Sequence, residues 1–312
     1  MIVDNYDTSF ASYITDGQIT IFKKLIITGI DNSRVLSDNN FSQIEEEICA
    51  FHDKIETGDE YFTLIDNMVS YAMDAKQPLP IVRFADGEYE FYRLSMKCNG
   101  LYLQAESKKA IKKSMPLHVS SFDYVSKHGI LAPLICRMNT HSKTLLEKLV
   151  KKKNRRNDLA LTFLSFLLKN NIDLKASNYI PFYVIYAYLS SNVFSSRLNG
   201  KTICILNSDI NTNACMEWFS KRGSFPKIVC ISIPREYVAT QWDGIHDKMS
   251  SLIPDEVSCF LVGAGIGSLL VCSDLARTYS VPAIDAGHIL NMMNNNVGKS
   301  SGHRLFTFNE IQ

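Results

Sequence analysis

Apolar and polar segments alternate regularly in the second half of the chain. Short apolar runs there predict buried β-strands, and each of the first three is followed by a segment with apolar residues at helical spacing. The predicted strands lie at 201–206, 226–233, 257–262 and 281–284, and the predicted helices at 214–222, 237–252 and 268–279. Strands that alternate with helices across short links predict a mostly parallel sheet with helices on both faces.

The first half of the chain predicts one further strand of the same sheet. Apolar residues at helical spacing predict helices over residues 41–52 and 60–75, and a proline-containing segment ends the second helix. The β-forming residues Ile81, Val82 and Phe84 then predict a short buried strand.

The segments that follow this strand carry less regular signals. Residues 107–115 predict a basic helix, and residues 118–122 and 129–136 predict short strands or loops. The apolar segment 159–168 and the aromatic segment 179–194 predict buried helices, although the aromatic one could also form a platform for stacking sugars.

The chain divides into three predicted parts. We expect a Rossmann-like α/β domain over residues 61–292, a helical extension over residues 1–60 and a tail over residues 293–312. A chain of 312 residues is long enough to bury a substantial core. Whether the extension caps the domain or forms a separate interaction element is open, as is the oligomeric state.

Composition narrows the classes of partner. The 33 basic and 32 acidic residues give a net charge of +1, which excludes a global field for nucleic acid. The eight cysteines lack C-x-x-C and His/Cys metal spacing, so we expect buried free thiols in a reducing compartment. Neither a signal-peptide pattern nor an apolar run long enough for a bilayer is visible, and we expect a cytoplasmic protein.

One basic run departs from this even distribution of charge. Residues 151–156 read KKKNRR, which is typical of a solvated loop or helix end. The alternative is a surface that contacts anionic lipid head groups at the inner face of a membrane, or a diphosphate-linked substrate.

Candidate chemistry begins at the end of the strand that contains Ile81. Asp86 and Glu88 follow this strand, separated by a glycine that permits a sharp turn. Residues two apart in an extended segment point the same way, so we expect both carboxylates to face one point. Such oxygens suit Mg²⁺ or Mn²⁺, and Arg83 could hold a phosphate or a carboxylate. A solvated acidic turn would explain the same tripeptide, so the motif alone decides nothing.

Two further candidate sites follow the last two predicted strands. The glycine loop, residues 263–267, precedes a helix and suits phosphate, with Asp285 at the end of the next strand. Ser268 occupies the third glycine position of a dinucleotide fingerprint, which argues against nicotinamide binding. His288 suits a metal ligand, a phosphate contact, a general base or a hydrogen-bonded structural histidine. Because parallel strands end at one edge, we expect all these groups to converge there.

Three separated segments together resemble one family. They are residues 81–88 (IVRFADGE), 262–267 (VGAGIG) and 283–288 (AIDAGH). They are similar to segments of the GT-D-type glycosyltransferases, which pair R-F-G-D-G-E with a late glycine loop and an A-I-D-I-G-H strand end. Residues 233–242 also look like the family's stretch after the middle strand, and the resemblance covers roughly residues 75–292.

The resemblance implies a GT-D-type fold and a metal-dependent glycosyltransferase. The expected donor is a uridine diphosphate sugar, and the expected acceptor is a glycan, a glycolipid or a glycoprotein. Asp86 and Glu88 match the family's D-x-E motif, which implies Mn²⁺ or Mg²⁺ against the donor diphosphate, with His288 or another carboxylate as base. The implied donor-binding residues are Arg83, Gly263, Gly265, Asp285 and His288.

Two departures from the family pattern concern the donor, and two alternative functions stay open. Ala85 replaces a glycine, and the loop at 207–211 lacks the glutamate, glycine and arginine that the family pattern has, which leaves the donor undecided. One alternative is a non-catalytic module that binds a nucleotide sugar or a partner. The other is an NAD(P)-dependent oxidoreductase that binds its cofactor at the glycine loop.

Overall fold

The computed structural model describes residues 60–96, 101–134, 159–172, 174, 178–180 and 182–294. Several predictions therefore lie outside the described residues. These are the helix at 41–52, residues 1–59 of the extension, the basic run at 151–156 and residues 295–312 of the tail.

Six strands form one sheet within the described residues. They are β1 (Leu79–Phe84), β2 (Ile130–Pro133), β3 (Thr202–Asn207), β4 (Lys227–Ser232), β5 (Cys259–Gly263) and β6 (Pro282–Asp285). Their spatial order is β2-β1-β6-β5-β3-β4, and every pair is parallel. The predicted α/β class with a parallel, Rossmann-like sheet is confirmed.

Eleven α-helices accompany these strands in the described ranges. They are α1 (Glu60–Asp74), α2 (Asp86–Tyr92), α3 (Leu101–Gln104), α4 (Lys108–His128), α5 (Leu159–Lys169), α6 (Phe182–Ser190), α7 (Asn192–Leu198), α8 (Thr212–Ser220), α9 (Val238–Met249), α10 (Ser268–Tyr279) and α11 (His288–Met293). Helices α4, α9 and α10 contact one another, and α1, α7 and α11 each contact α6. None of the described helices is both long and apolar enough to cross a membrane.

The central strands are buried because helices cover both of their faces. All residues of the central strands β1 and β6 are buried, as are those of the edge strand β2, whereas β4 at the opposite edge is partly exposed. An aromatic cluster continues the core beneath α2, where the Phe163 ring lies 4.8 Å from the Tyr89 ring and 5.1 Å from the Phe84 ring. This cluster fixes α2 at the end of β1, which is where the first candidate motif lies.

Helix α4 corrects one prediction. The expected strand or loop at 118–122 is part of this helix, which continues past Pro116 to His128. Ile111, Phe122 and Val125 are buried on its inner side, so packing against the sheet stabilises a helix that the proline alone would interrupt.

Candidate active site

The carboxyl ends of β1, β6 and β5 lie side by side in the sheet. Strand β6 pairs with β1 on one side and with β5 on the other, where Val262 is the partner of Asp285. The motifs that follow these three strands therefore start from one edge, as the sequence predicts. This edge is where open α/β sheets bind their ligands.

A buried ion pair joins the first motif to the last. The Arg83 guanidinium donates from Nη2 to Asp285 Oδ1 at 3.1 Å and from Nε to the Asp285 backbone carbonyl at 2.9 Å. Arg83 and Asp285 are only 5% and 6% exposed. The guanidinium carbon also lies 4.0 Å from the ring centroid of Tyr186 and 5.1 Å from that of Phe182. In this arrangement Arg83 and Asp285 hold each other and position the ends of β1 and β6.

The surroundings of this pair stabilise the charged form of Arg83. Burial alone lowers the pKa of Arg83, but the Asp285 carboxylate and the Tyr186 hydroxyl outweigh it and leave the pKa above its usual value. Burial raises the pKa of Asp285, and the bonds from Arg83 and from the Ser268 hydroxyl oppose that rise. Ser268, which breaks the dinucleotide fingerprint, thus has a role as a partner of Asp285.

The glycine in Asp285-Ala-Gly-His288 is required by this ion pair. Gly287 has φ +41°, in the left-handed region that side chains disfavour. A Cβ atom at this position would also overlap Nη2 of Arg83. The sequence signal was present, since a glycine two residues after the aspartate leaves room for the guanidinium.

The two carboxylates of the first motif lie in a helix rather than in an extended segment. Helix α2 begins at Asp86, and Tyr89 N–H donates to the Ala85 carbonyl at 2.9 Å. Residues two apart in a helix are separated by about 200° around its axis. The expectation that Asp86 and Glu88 point the same way from an extended chain is therefore wrong.

Glu88 also caps the start of this helix. Its Oε2 accepts a hydrogen bond from Ala85 N–H at 2.8 Å, which is the glutamate half of a capping box. Burial raises the pKa of Glu88 to about 7, although the Ala85 N–H lowers it. The Asp285 carboxylate raises it further, and Arg83 lowers it. Glu88 therefore lies within the field of the ion pair, while Asp86 is exposed.

The carboxylates of Asp86 and Glu88 are suitable ligands for a divalent cation, but they do not form a complete set of ligands. Within the described ranges no three or more His, Cys, Asp or Glu side chains form a group that could hold a metal ion. Mg²⁺ is commonly bound by one or two carboxylates together with substrate phosphates and water. Asp86 fits that pattern as an exposed hard oxygen donor. Glu88 lies about 200° around the helix axis from it, and one of its oxygens already accepts from Ala85 N–H. His288 begins α11, and its side chain lies outside the described part, so its expected roles stay predictions.

The glycine loop is closely covered by side chains that the sequence analysis missed. A Cβ atom on Gly263 would overlap the Asn207 amide and lie 2.8 Å from Leu290 Cδ1. Gly265 has φ +55°, and the Gln104 carboxamide lies directly against it. Gln104 Oε1 accepts from Ile266 N–H at 3.1 Å. The glycines are thus needed for close packing, and part of the loop's donor capacity is already used.

The loop after β3 is hydrogen-bonded to Asn294, which directly follows α11. Asn294 Oδ1 accepts from Asn211 N–H at 2.9 Å, and the Asn294 amide donates to the Asp209 carbonyl. Asn207 Oδ1 accepts from Asp209 N–H at 2.9 Å. These asparagines give the loop a hydrogen-bonded turn.

His118 on α4 is buried, and the sequence pattern did not single it out. His118 Nε2 lies 2.7 Å from the Ala239 carbonyl, and Nδ1 lies 2.9 Å from the Tyr92 hydroxyl. Since a carbonyl only accepts, Nε2 carries the proton and Nδ1 accepts from Tyr92. Burial lowers the pKa of His118 to about 4. It is a structural residue that ties α2 to α4 and α9.

Comparison with known proteins gives similarities in structure only. No family model matches the chain, and no curated protein matches it. A structure described as selenomethionine-substituted domain of unknown function 1792 is similar, with a TM-score of 0.45 and 16% identity over 80% of this chain and 93% of that one. A second is described with the statement that this domain has a distinct glycosyltransferase fold. It has a TM-score of 0.45 and 15% identity over 81% of this chain and 94% of that one.

Proposed function

We propose that this protein is a metal-dependent glycosyltransferase that takes a sugar from a nucleotide donor. The expected donor is a uridine diphosphate sugar, and the acceptor is a glycan, a glycolipid or a glycoprotein. The observation that carries the proposal is the direct bond between Arg83 and Asp285. It brings together two of the three motifs on which the family resemblance rests, although 202 residues separate them.

Each candidate residue has a place in the proposed reaction. The Arg83–Asp285 pair fixes the ends of β1 and β6, which sets the start of α2 beside the glycine loop. Asp86 and Glu88 are the expected ligands of Mn²⁺ or Mg²⁺. Such a cation would neutralise charge on the departing nucleoside diphosphate. Gly263 and Gly265 are the expected donor contacts of the loop, and their lack of side chains lets Asn207 and Gln104 pack against it.

Calorimetric titration of the full chain tests the proposal. UDP, UDP sugars and NAD(P) are each titrated with and without Mn²⁺, and release of UDP from each sugar is followed. We expect UDP to bind in a Mn²⁺-dependent way, and Asp86→Ala to abolish both binding and release. Asp123→Ala is the matched control, since Asp123 lies in an exposed pair with Lys127 on α4.

The alternatives predict different outcomes. Metal-independent binding of NAD(P) would contradict the proposal and favour an oxidoreductase. Tight UDP-sugar binding without any UDP release or transfer would favour a binding module. An Asp86→Ala protein that folds and keeps full activity would overturn the metal assignment.

A further inference from the structure

Gln104, the last residue of α3, lies against the glycine loop with a defined amide orientation. Its side chain is half-buried and accepts a hydrogen bond from Ile266 N–H at 3.1 Å. A backbone N–H can only donate, so the atom that faces Ile266 must be the amide oxygen. The orientation of the NH₂ group follows from this bond.

The carboxamide lies flat on Gly265. A Cβ atom built on Gly265 would be 2.8 Å from Oε1 and 3.0 Å from both Cδ and Nε2 of Gln104. Oxygen and nitrogen therefore lie side by side over the loop. Among the residues that the structure describes, no acceptor bonds to Nε2, which leaves its hydrogen atoms free to donate.

The segment that carries Gln104 is itself held in place. The Leu103 carbonyl accepts from Tyr237 N–H at 2.8 Å, and the Glu106 carboxylate accepts from the Gln241 amide. Tyr237 has φ 62°, an unfavourable conformation for a bulky residue that these contacts help to maintain. Gln104 is thus presented by a fixed segment, so little conformational entropy is lost when it contacts a ligand.

We propose that Gln104 contacts the diphosphate of the donor, which rests on the proposed function. Its Oε1 holds the glycine loop, and its Nε2 donates a hydrogen bond to a phosphate oxygen. Hydrogen bonds to a charged acceptor are about twice as strong as neutral ones. The loop precedes the amino terminus of α10, whose partial positive charge favours an anion at the same place.

Two substitutions separate ligand contact from a purely structural role. Gln104→Glu keeps an oxygen for Ile266 N–H but replaces the donating NH₂ group with an anionic oxygen. Gln104→Met keeps the length of the side chain and loses both functions. Gln77→Glu is the control for the charge change, since Gln77 is exposed just after α1.

The dissociation constant for UDP with Mn²⁺ is measured by calorimetry, and each variant's melting temperature is recorded. We expect Gln104→Glu to weaken binding at least about tenfold, more than Gln104→Met, because the carboxylate repels phosphate. Gln77→Glu should bind like the wild type. If Gln104→Met is the weaker variant and Gln104→Glu binds normally, Gln104 only supports the loop and the inference is wrong. A wild-type protein that binds no nucleoside diphosphate would overturn the proposed function as well.

Discussion

Replacing Arg83 with methionine removes the cation of the buried ion pair and keeps an unbranched side chain. Asp285 is 6% exposed in the native protein, and its carboxylate then keeps the Ser268 hydroxyl at 3.2 Å and the residue-83 backbone N–H at 3.4 Å as partners. The bond to the Asp285 carbonyl and the contact with the Tyr186 ring are lost too. The variant therefore leaves a poorly compensated charge in the core.

The magnitude follows from the burial of both partners. Removing one member of a buried ion pair typically costs about 3–5 kcal/mol, because the other charge stays desolvated. For a domain of this size, about 2–4 °C of melting temperature corresponds to each kcal/mol, so we expect a decrease of roughly 6–20 °C.

Urea and thermal unfolding monitored by circular dichroism measure this cost. Arg277→Met is the matched control, since the Arg277 side chain is 62% exposed and lies 3.4 Å from Asp274. Exposed pairs contribute about 0–1 kcal/mol. The double variant Arg83→Met/Asp285→Leu should recover part of the lost stability, because no unpaired charge remains.

A cost for Arg83→Met no larger than that of Arg277→Met would refute this reasoning. Arg83 would then not be needed to compensate the charge of Asp285, and this result would favour the expected role of Arg83 as a donor-binding residue. A double variant as unstable as the single one would instead attribute the cost to lost packing on the Tyr186 ring.

Three further predictions concern other contacts of the same domain. His118 has an ordinary pKa of about 6.5, and burial lowers it to about 4, so its contribution to stability is complete above pH 6.5 and is lost as the pH falls to 4. Unfolding titrations should show up to about 3 kcal/mol lost over this range, and His118→Gln should reduce that dependence. Gly287→Ala should cost more than about 1 kcal/mol in urea unfolding, since φ is +41° and the new methyl group would meet Arg83, whereas Gly244→Ala, with open space around it, should not destabilise. Asn294→Ala should speed amide hydrogen exchange in the loop after β3, without changing exchange in the strands.

Strands β1 and β3 to β6 were predictable because their signal is local. Apolar runs such as 257–262 coincide with β5 to within about two residues, and their alternation with helices indicates a parallel sheet. The order of the strands was not predictable in this way. The position of β6 between β1 and β5 depends on contacts between distant segments, which periodicity does not report.

The start of α2 shows a signal that was present but misinterpreted. Asp86 and Glu88 follow a residue in extended conformation and occupy the first helical turn, where acidic side chains are favoured. Interpreted as a metal-binding turn, the same residues predict the wrong direction for the carboxylates. The handedness of the connections between parallel strands predicts that the motifs meet at one edge of the sheet. The ion pair between Arg83 and Asp285 joins two distant segments, and such a contact is not visible in the sequence.

The place of β6 in the sheet has a consequence for the order of folding. Strands β1 and β2 lie on one side of β6 within the sheet, and β5, β3 and β4 lie on its other side. Strand β6 therefore joins the two groups of strands. During synthesis, residues 282–285 leave the ribosome after all five other strands. The two sides can associate in register only once this segment arrives, so closure of the sheet is a late and non-local event. The Arg83–Asp285 bond forms with it, and until then the edge of β1 that pairs with β6 lacks its partner strand.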